Sequence, residues 1–208
     1  MYISLFKTAL KLILRKGVYS SYAQFGEDLI IRPFTQAKTG FYVDVGCYHP
    51  ILYSNTYRLY RAGWHGIVID PNTKSKRAFK LFRPRDKFVQ AGVGIKDTKT
   101  YFEFDDGAYN TFSPEHAESY KKRARLISSH EVNLRPLSEI LEGVKSIDVL
   151  SIDVEGLDLE VLKTHDWQVF PRIILIEAKP GSETCNFLVE KGYVLVGLTK
   201  LNSIFLYE

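Results

Sequence analysis

The sequence predicts an α/β domain: a mostly parallel sheet with helices on both faces and an antiparallel edge strand. Three observations lead there. Hydrophobic residues make up 45% and charged residues 25% of 208 residues, a balance that suits one globular domain and excludes a disordered chain. From about Tyr22 onward, short β-rich runs alternate with stretches suited to helix, the pattern of strand–helix–strand crossovers. Most of the β-rich runs are nearly continuous Val, Ile, Leu and Phe, as expected of strands covered on both faces.

Taken in order, the predicted strands are 41–45, 66–70, 87–93, 148–152, 172–177, 193–198 and 203–207. Predicted helices fall between them over 54–62, 73–82, 114–128, 157–163 and 183–191. Ser54, just before Asn55-Thr56-Tyr57, is the expected N-cap of the first of these, and Gly192 the stop after the last. Only Thr199 to Asn202 separate the final two strands, so they form a hairpin and reverse one strand at the edge.

The formal charge of +4 lies at one end. Lys7, Lys11, Arg15 and Lys16 stand without an acid in the first 22 residues, which leaves the body of the chain neutral. A neutral body argues against nucleic acid as a partner, because phosphate binding needs a basic surplus. Ile3, Phe6, Leu10 and Ile13 recur at helical spacing beside Lys7, Lys11 and Arg15, so residues 1–21 are read as an amphipathic basic helix preceding a domain over 22–208. Residues 1–16 either pack on that domain or lie on an anionic membrane face. No apolar run reaches the roughly 20 residues of a membrane span, and the basic residues together with the lack of a cleavage site argue against a secretory signal. Cys47 and Cys185 are too far apart in sequence to found a disulfide framework or a thiolate metal site. The expected location is therefore cytoplasmic, with peripheral membrane contact as the variant.

In a sheet of this kind, ligands bind beyond the carboxyl ends of the strands. The first strand ends Val43-Asp44-Val45-Gly46-Cys47-Tyr48-His49-Pro50, and the second ends Ile69-Asp70-Pro71-Asn72. An acid at the end of the second strand, 26 positions after Asp44, suits a ribose diol, since one carboxylate accepts two hydrogen bonds. A dinucleotide fits poorly: counting G-x-G-x-x-G from Gly46 puts Tyr48 and Ile51 where glycines should let a pyrophosphate approach. S-adenosylmethionine, a nucleoside without phosphates, needs only the tight turn at Gly46 and donors for its carboxylate near Ser54, Asn55 and Thr56. The blander alternative is that Asp44 and Asp70 cap loops.

The strings Tyr22-Ala23-Gln24-Phe25-Gly26-Glu27-Asp28, Val43-Asp44-Val45-Gly46, Ser54-Asn55-Thr56, Gly63-Trp64, Ile69-Asp70-Pro71-Asn72, Arg83-Pro84-Arg85-Asp86 and Ile152-Asp153-Val154-Glu155-Gly156, in that order, resemble the FkbM family of S-adenosylmethionine-dependent methyltransferases. The resemblance implies a Rossmann-like class I methyltransferase fold and methyl transfer to oxygen, often on a sugar or glycan. By it, Asp44, Gly46, Ser54, Asn55 and Asp70 map onto cofactor contacts, Gln24 and Glu27 are additions, and Pro71 and Asn72 stand beside Asp70. An NAD-linked oxidoreductase and a catalytically silent binding protein on the same fold are the competing readings; the retained acids Asp44, Asp70, Asp153 and Glu155 speak against the second.

Methyl transfer to a hydroxyl needs positioning, shielding from water and a proton acceptor. Asp153 and Glu155 follow an apolar strand and, two apart on extended chain, would face one side. They can act as base, hold acceptor hydroxyls or ligate a divalent metal such as Mg²⁺; alternatively one of them caps the helix near Leu157. His49 is the third catalytic candidate, an imidazole able to serve as base near neutral pH. Glu177 either lines the acceptor pocket or is a salt-bridged strand end. Residues 105–125, with Lys121, Lys122, Arg123 and Arg125, form either a lid that attracts an anionic acceptor or a solvated helix face.

Overall fold

The computed structural model describes residues 20–207. Residues 1–19, which carry the predicted amphipathic helix and its basic row, lie outside the described residues. The seven-stranded main sheet runs β3 (Lys87–Val89), β2 (His65–Ile69), β1 (Phe41–Val45), β7 (Val149–Ile152), β8 (Ile173–Glu177), β10 (Asn202–Tyr207), β9 (Tyr193–Leu198). The first five are parallel to one another. The terminal hairpin forms as expected, and β10 is the reversed strand, set antiparallel between β8 and the edge strand β9.

Strands that read as continuous apolar runs do so because their alternate residues feed two cores. Val43 and Val45 of β1 pack with Ile67, Ile69, Leu150, Ile152, Ile174 and Ile176 on one face. Tyr42 packs with Val68, Val149, Leu175 and Ile204 on the other. The first face is covered by α5 (Leu137–Ile140), α6 (Asp158–Lys163) and α7 (Glu183–Glu190), through Leu137, Val161, Leu162 and Leu188. The second is covered by α1 (Glu27–Ile30), α2 (Tyr57–Arg61) and α3 (Thr73–Phe82), through Ile30, Leu59 and Phe79. Gly192 ends α7 at a φ of +92°, a left-handed conformation that glycine adopts without strain.

Two sequence expectations are corrected. The run 87–93 is broken at Gln90 and Ala91: β3 stays in the main sheet, while β4 (Gly92–Val93) leaves it to pair with β6 (Leu126–Arg135). The helix expected over 114–128 stops at Tyr120, so α4 is Pro114–Tyr120; residues 121–125 turn the chain and only 126–128 open β6. β6 pairs antiparallel with β5 (Thr98–Phe104), which makes a second sheet, β4-β6-β5, that periodicity did not reveal. Tertiary pairing overrides local propensity here, although the β-branched and aromatic residues of Thr98 to Phe104 and Ile127 and Val132 of β6 are the signal that could have found it. The loop between β5 and β6 holds a short 3₁₀ turn (Gly107–Tyr109) and α4, and it arches over the carboxyl ends of the main sheet.

Candidate active site

A cavity of about 460 Å³ opens where β2, β1, β7 and β8 end. Its floor is made by Asp70, Gly46, Asp153 and Glu177, one from each strand end or the residue following it. Neighbouring strands lie about 4.8 Å apart, so Asp70 and Glu177 stand roughly 14 Å from each other across three spacings. One wall carries Gln24, Tyr48, Tyr53 and Asn55, and the β5–β6 loop supplies the other with Asp106, Tyr109, Tyr120 and Arg123.

Gly46 sits at a φ of +78°, and a Cβ there would overlap the backbone carbonyl oxygen of Asp153. The Asp153 amide donates to the Val45 carbonyl at 3.0 Å, so the two strand ends are in backbone contact and only glycine fits between them. Asp70 is buried and accepts from the amides of Asn72 at 2.7 Å and Tyr48 at 3.0 Å, one on each oxygen. Burial, the largest effect, holds its carboxyl up at about 7 despite those two bonds. Each oxygen has a second lone pair beyond these bonds, and a pair of acceptors is what a ribose diol requires. Asn55 lines the wall and donates to Ser151 Oγ at 3.1 Å.

Of the cofactor candidates, Gln24, Gly46, Asn55, Asp70 and Pro71 line the cavity, whereas Glu27, Asp44, Ser54 and Asn72 stand behind it. Asp44 accepts from Thr56 Oγ1 at 2.5 Å, and Arg83 donates to that same hydroxyl at 3.0 Å. Ser54 Oγ accepts from the Tyr57 amide at 3.1 Å and from Arg83 at 3.2 Å, so it closes the turn into α2, whose first residue is three positions further on. Asn72 caps α3 by accepting from the Lys74 amide at 2.8 Å. Glu27 accepts from the Phe25 amide, Thr199 Oγ1 and Asn202 Nδ2, tying the segment before β1 to the β9–β10 hairpin. These four build the walls because each spends its polar atoms on a neighbouring turn or hairpin, and sequence spacing does not distinguish such a residue from one facing the ligand. Arg83, without an assigned role in the sequence, is the hub: fully buried, it pairs with Asp86 at 2.7 Å and bonds Tyr42 Oη at 2.9 Å.

At the other end Asp153, Glu155 and Glu177 converge, one oxygen from each lying within 4.8 Å of the others. They converge by a different route from the expected extended chain: Glu155 has left the strand and adopts a φ of +55°. Neither acid caps α6, which has no side-chain cap; Asp158, its first residue, accepts with its buried carboxylate from the Val154 and Gly156 amides of the preceding loop at 3.3 and 3.2 Å. Burial, reinforced by Glu155, Asp158 and Glu177, pushes the Asp153 carboxyl well above the usual range; Glu177 is raised for similar reasons. The β5–β6 loop is latched to this corner: Tyr120 Oη donates to Glu155 Oε2, and His116 Nδ1 and Thr111 Oγ1 both bond the Glu155 carbonyl, at 2.8 and 3.3 Å. Sequence reasoning passed over His116, Tyr120 and Asn202, which reach the site only through long-range pairing.

His49 is not brought to the cavity. Its Nδ1 accepts from the amides of Ile51 and Leu52 at 3.1 and 3.0 Å, so the ring nitrogen nearest the backbone is committed to closing the turn after β1. Burial lowers its pKa, in keeping with a neutral acceptor.

The site places a buried acid at one end of the crevice of a doubly wound sheet and a carboxylate cluster at the other, the position in which proteins of this fold class bind their ligands. The family profile described as the methyltransferase FkbM domain matches residues 44–195, and the chain belongs to that family: it is an FkbM methyltransferase. Among solved structures it is similar to a TehB-like SAM-dependent methyltransferase from Corynebacterium glutamicum ATCC 13032 Kitasato, with 10% identity and a TM-score of 0.45 over 100% of this chain and 99% of that one. A likeness that distant says nothing of substrate. No curated protein matches the chain.

Proposed function

We propose that this methyltransferase uses S-adenosylmethionine to methylate a hydroxyl group of a sugar or glycan. The observation that carries the reading is the layout of the cavity: Asp70 and the Asp153–Glu155–Glu177 cluster occupy opposite ends of one 460 Å³ space, with the glycine cradle of Gly46 between them. The residues fit the cofactor. Asp70 would hold the ribose hydroxyls, Gly46 would let the chain approach closely, and Gln24 and Asn55 offer amides to the amino-acid end. Tyr48 and Tyr53, stacked with centroids 6.4 Å apart and an angle of 17° between their planes, present aromatic surface beside Asp70. Bound there, the cofactor supplies an electrophilic methyl group on a sulfonium.

The rest is positioning and proton handling by the chain itself. An acceptor hydroxyl entering at the carboxylate end finds several oxygens able to orient it and take its proton. The β5–β6 loop, latched to Glu155 by Tyr120, His116 and Thr111, covers this end and keeps water out. His49 serves as a turn closer in this reading. Arg123 reaches the cavity rim from the Lys121–Arg125 cluster and favours acceptors bearing negative charge.

Calorimetry with the intact chain tests the cofactor. Heat on titrating S-adenosylmethionine or S-adenosylhomocysteine, and none with NAD, is expected; the reverse pattern overturns the proposal. Mass spectrometry of glycans incubated with methyl-labelled cofactor tests the acceptor, and label found only on nitrogen or carbon would reject hydroxyl transfer.

A further inference from the structure

The carboxylate end of the cavity gathers three acids with no basic side chain against them among the described residues. Asp153, Glu155 and Glu177 converge there, and among the described residues none of them forms an ion pair with Lys or Arg. Lys179 and His116 act on Glu177 only at longer range, and Tyr120 satisfies a single oxygen of Glu155. Half-buried acids this close together either keep protons or take up a counter-charge.

A second observation, independent of the acids, concerns Asn202. The residue is 5% exposed, and Nδ2 donates to Glu27 Oε1 at 2.9 Å. That bond fixes the amide, because turning it over would set two oxygens against each other; Glu27 Oε1 already accepts from Thr199 as well. Asn202 Oδ1 is consequently left buried and without a hydrogen-bond partner, the sole side-chain atom in that position among the described residues. A buried carbonyl oxygen in this state is costly unless a ligand satisfies it. Asn202 lies directly opposite Glu177 in the antiparallel β8–β10 register, so the two side chains share one face of the sheet, and both line the cavity.

We propose that Asp153, Glu155, Glu177 and the Asn202 amide oxygen form a binding site for a hard divalent cation of the Mg²⁺ or Mn²⁺ kind. An all-oxygen set of three carboxylates and one carbonyl suits these ions and Ca²⁺, and disfavours zinc or copper. Opposed ligands lie about 4.2 Å apart around Mg²⁺ and about 4.8 Å around Ca²⁺, taking bonds of about 2.1 and 2.4 Å. The three carboxylate oxygens lie within 4.8 Å of one another; three ligands cannot all be opposed, so around an ion they draw in toward the spacing of adjacent positions, about 3.0 Å for Mg²⁺ and about 3.4 Å for Ca²⁺. Four protein oxygens leave two positions of an octahedral shell open, which suits an acceptor with two adjacent oxygens. Asp153 and Glu177 each give the ion one oxygen and keep the second for the acceptor, whereas one oxygen of Glu155 stays with the Tyr120 hydroxyl. The acceptor's part in this rests on the methyl-transfer reading above; the ion site does not.

Electron paramagnetic resonance of Mn²⁺ titrated into the full-length protein tests the site directly. The expected result is one Mn²⁺ retained per chain, displaced by excess Mg²⁺, with affinity at least tenfold weaker in Glu177→Gln and in Asn202→Ala. Absence of retained Mn²⁺ in the wild-type protein, or unchanged affinity in either folded variant, overturns the proposal. Should Asn202→Ala fail to fold, the wild-type titration and Glu177→Gln decide. Calorimetry with S-adenosylhomocysteine is run on the same samples: a protein that binds Mn²⁺ as described and no sulfur nucleoside keeps the ion site and loses the cofactor reading, and the opposite pattern does the reverse.

Discussion

The α-carbon of Gly46 faces the backbone carbonyl of Asp153 so closely that no side chain can come between them. The end of β1, where the proposed function puts the nucleoside, is thereby locked to the start of the loop that carries Asp153 and Glu155, and the Asp153 amide to Val45 carbonyl bond makes the same connection from the other side. A change at Gly46 should be felt at both ends of the cavity.

Gly46→Ala is therefore expected to destabilise the fold by at least about 1–3 kcal/mol, the cost of a strained left-handed residue before any overlap is counted. Urea unfolding measures the loss, and calorimetry should show S-adenosylhomocysteine binding abolished. Wild-type stability together with wild-type binding would mean that the two strand ends are free to separate.

Arg83 is a buried cation whose partners, Asp86, Tyr42, Thr56 and Ser54, tie β1, the entry to α2 and the turn after α3 into one network. Removing one member of a buried ion pair costs about 3–5 kcal/mol, because the other is left uncompensated. Arg83→Met should lower stability by that amount in chemical denaturation, and Arg83→Met with Asp86→Leu should recover part of it. Full additivity of the two substitutions would dissolve the pair as an energetic unit.

Asp70 links pH to both stability and binding. Its folded-state carboxyl titrates near 7, above the model-peptide value of 3.8, so between those values the native state holds a proton that the unfolded chain has released. Stability from this group accordingly rises as pH falls from about 7 toward 4, and is lost as pH rises through 7. Asp158, also near 7, acts in the same direction, whereas the buried His165, its pKa lowered, opposes it below neutrality. The difference between wild type and Asp70→Asn isolates the Asp70 contribution: melting temperatures of the two should diverge between pH 5 and pH 8, with the wild type gaining at the acid end. Asp70→Asn should also weaken S-adenosylhomocysteine binding by about 1.5–3 kcal/mol, the worth of hydrogen bonds to a charged group.

The acceptor-side acids should separate binding from turnover. Asp153→Asn and Glu155→Gln are expected to keep cofactor affinity within a few-fold, since neither faces Asp70, while slowing methyl transfer by about a hundredfold or more. Calorimetry and a labelled-methyl assay on the same preparations check the two halves, and unchanged turnover would reduce the pair to a structural role.

Much of this molecule is readable along the chain. Val43 to Gly46 and Ile67 to Asp70 announce strands buried on both faces, because an unbroken apolar run has no other stable home at that length, and the glycine and acid at their ends mark the crevice. Asp70 reaches the cavity because it belongs to the strand end itself, whose position follows from local pattern. The second sheet was illegible for the opposite reason. β5 and β6 exist as strands by virtue of pairing with each other, and residues 121–128 read as helix until that partner is known.

What the sequence by itself determined is thus the strand–helix alternation, the resemblance to a methyltransferase family and the acids Asp70, Asp153 and Glu155. Only the tertiary structure decided that Asp44, Ser54 and Asn72 stand behind the wall, that His49 closes a turn, and that Glu177 and Asn202 meet beside Asp153. The last of these outcomes depends on residues 25 positions apart: Asn202 and Glu177 face each other because β10 enters the sheet antiparallel next to β8, a pairing no local period encodes. Backbone strand pairing chooses which polar side chains share a space, and burial then sets their charge.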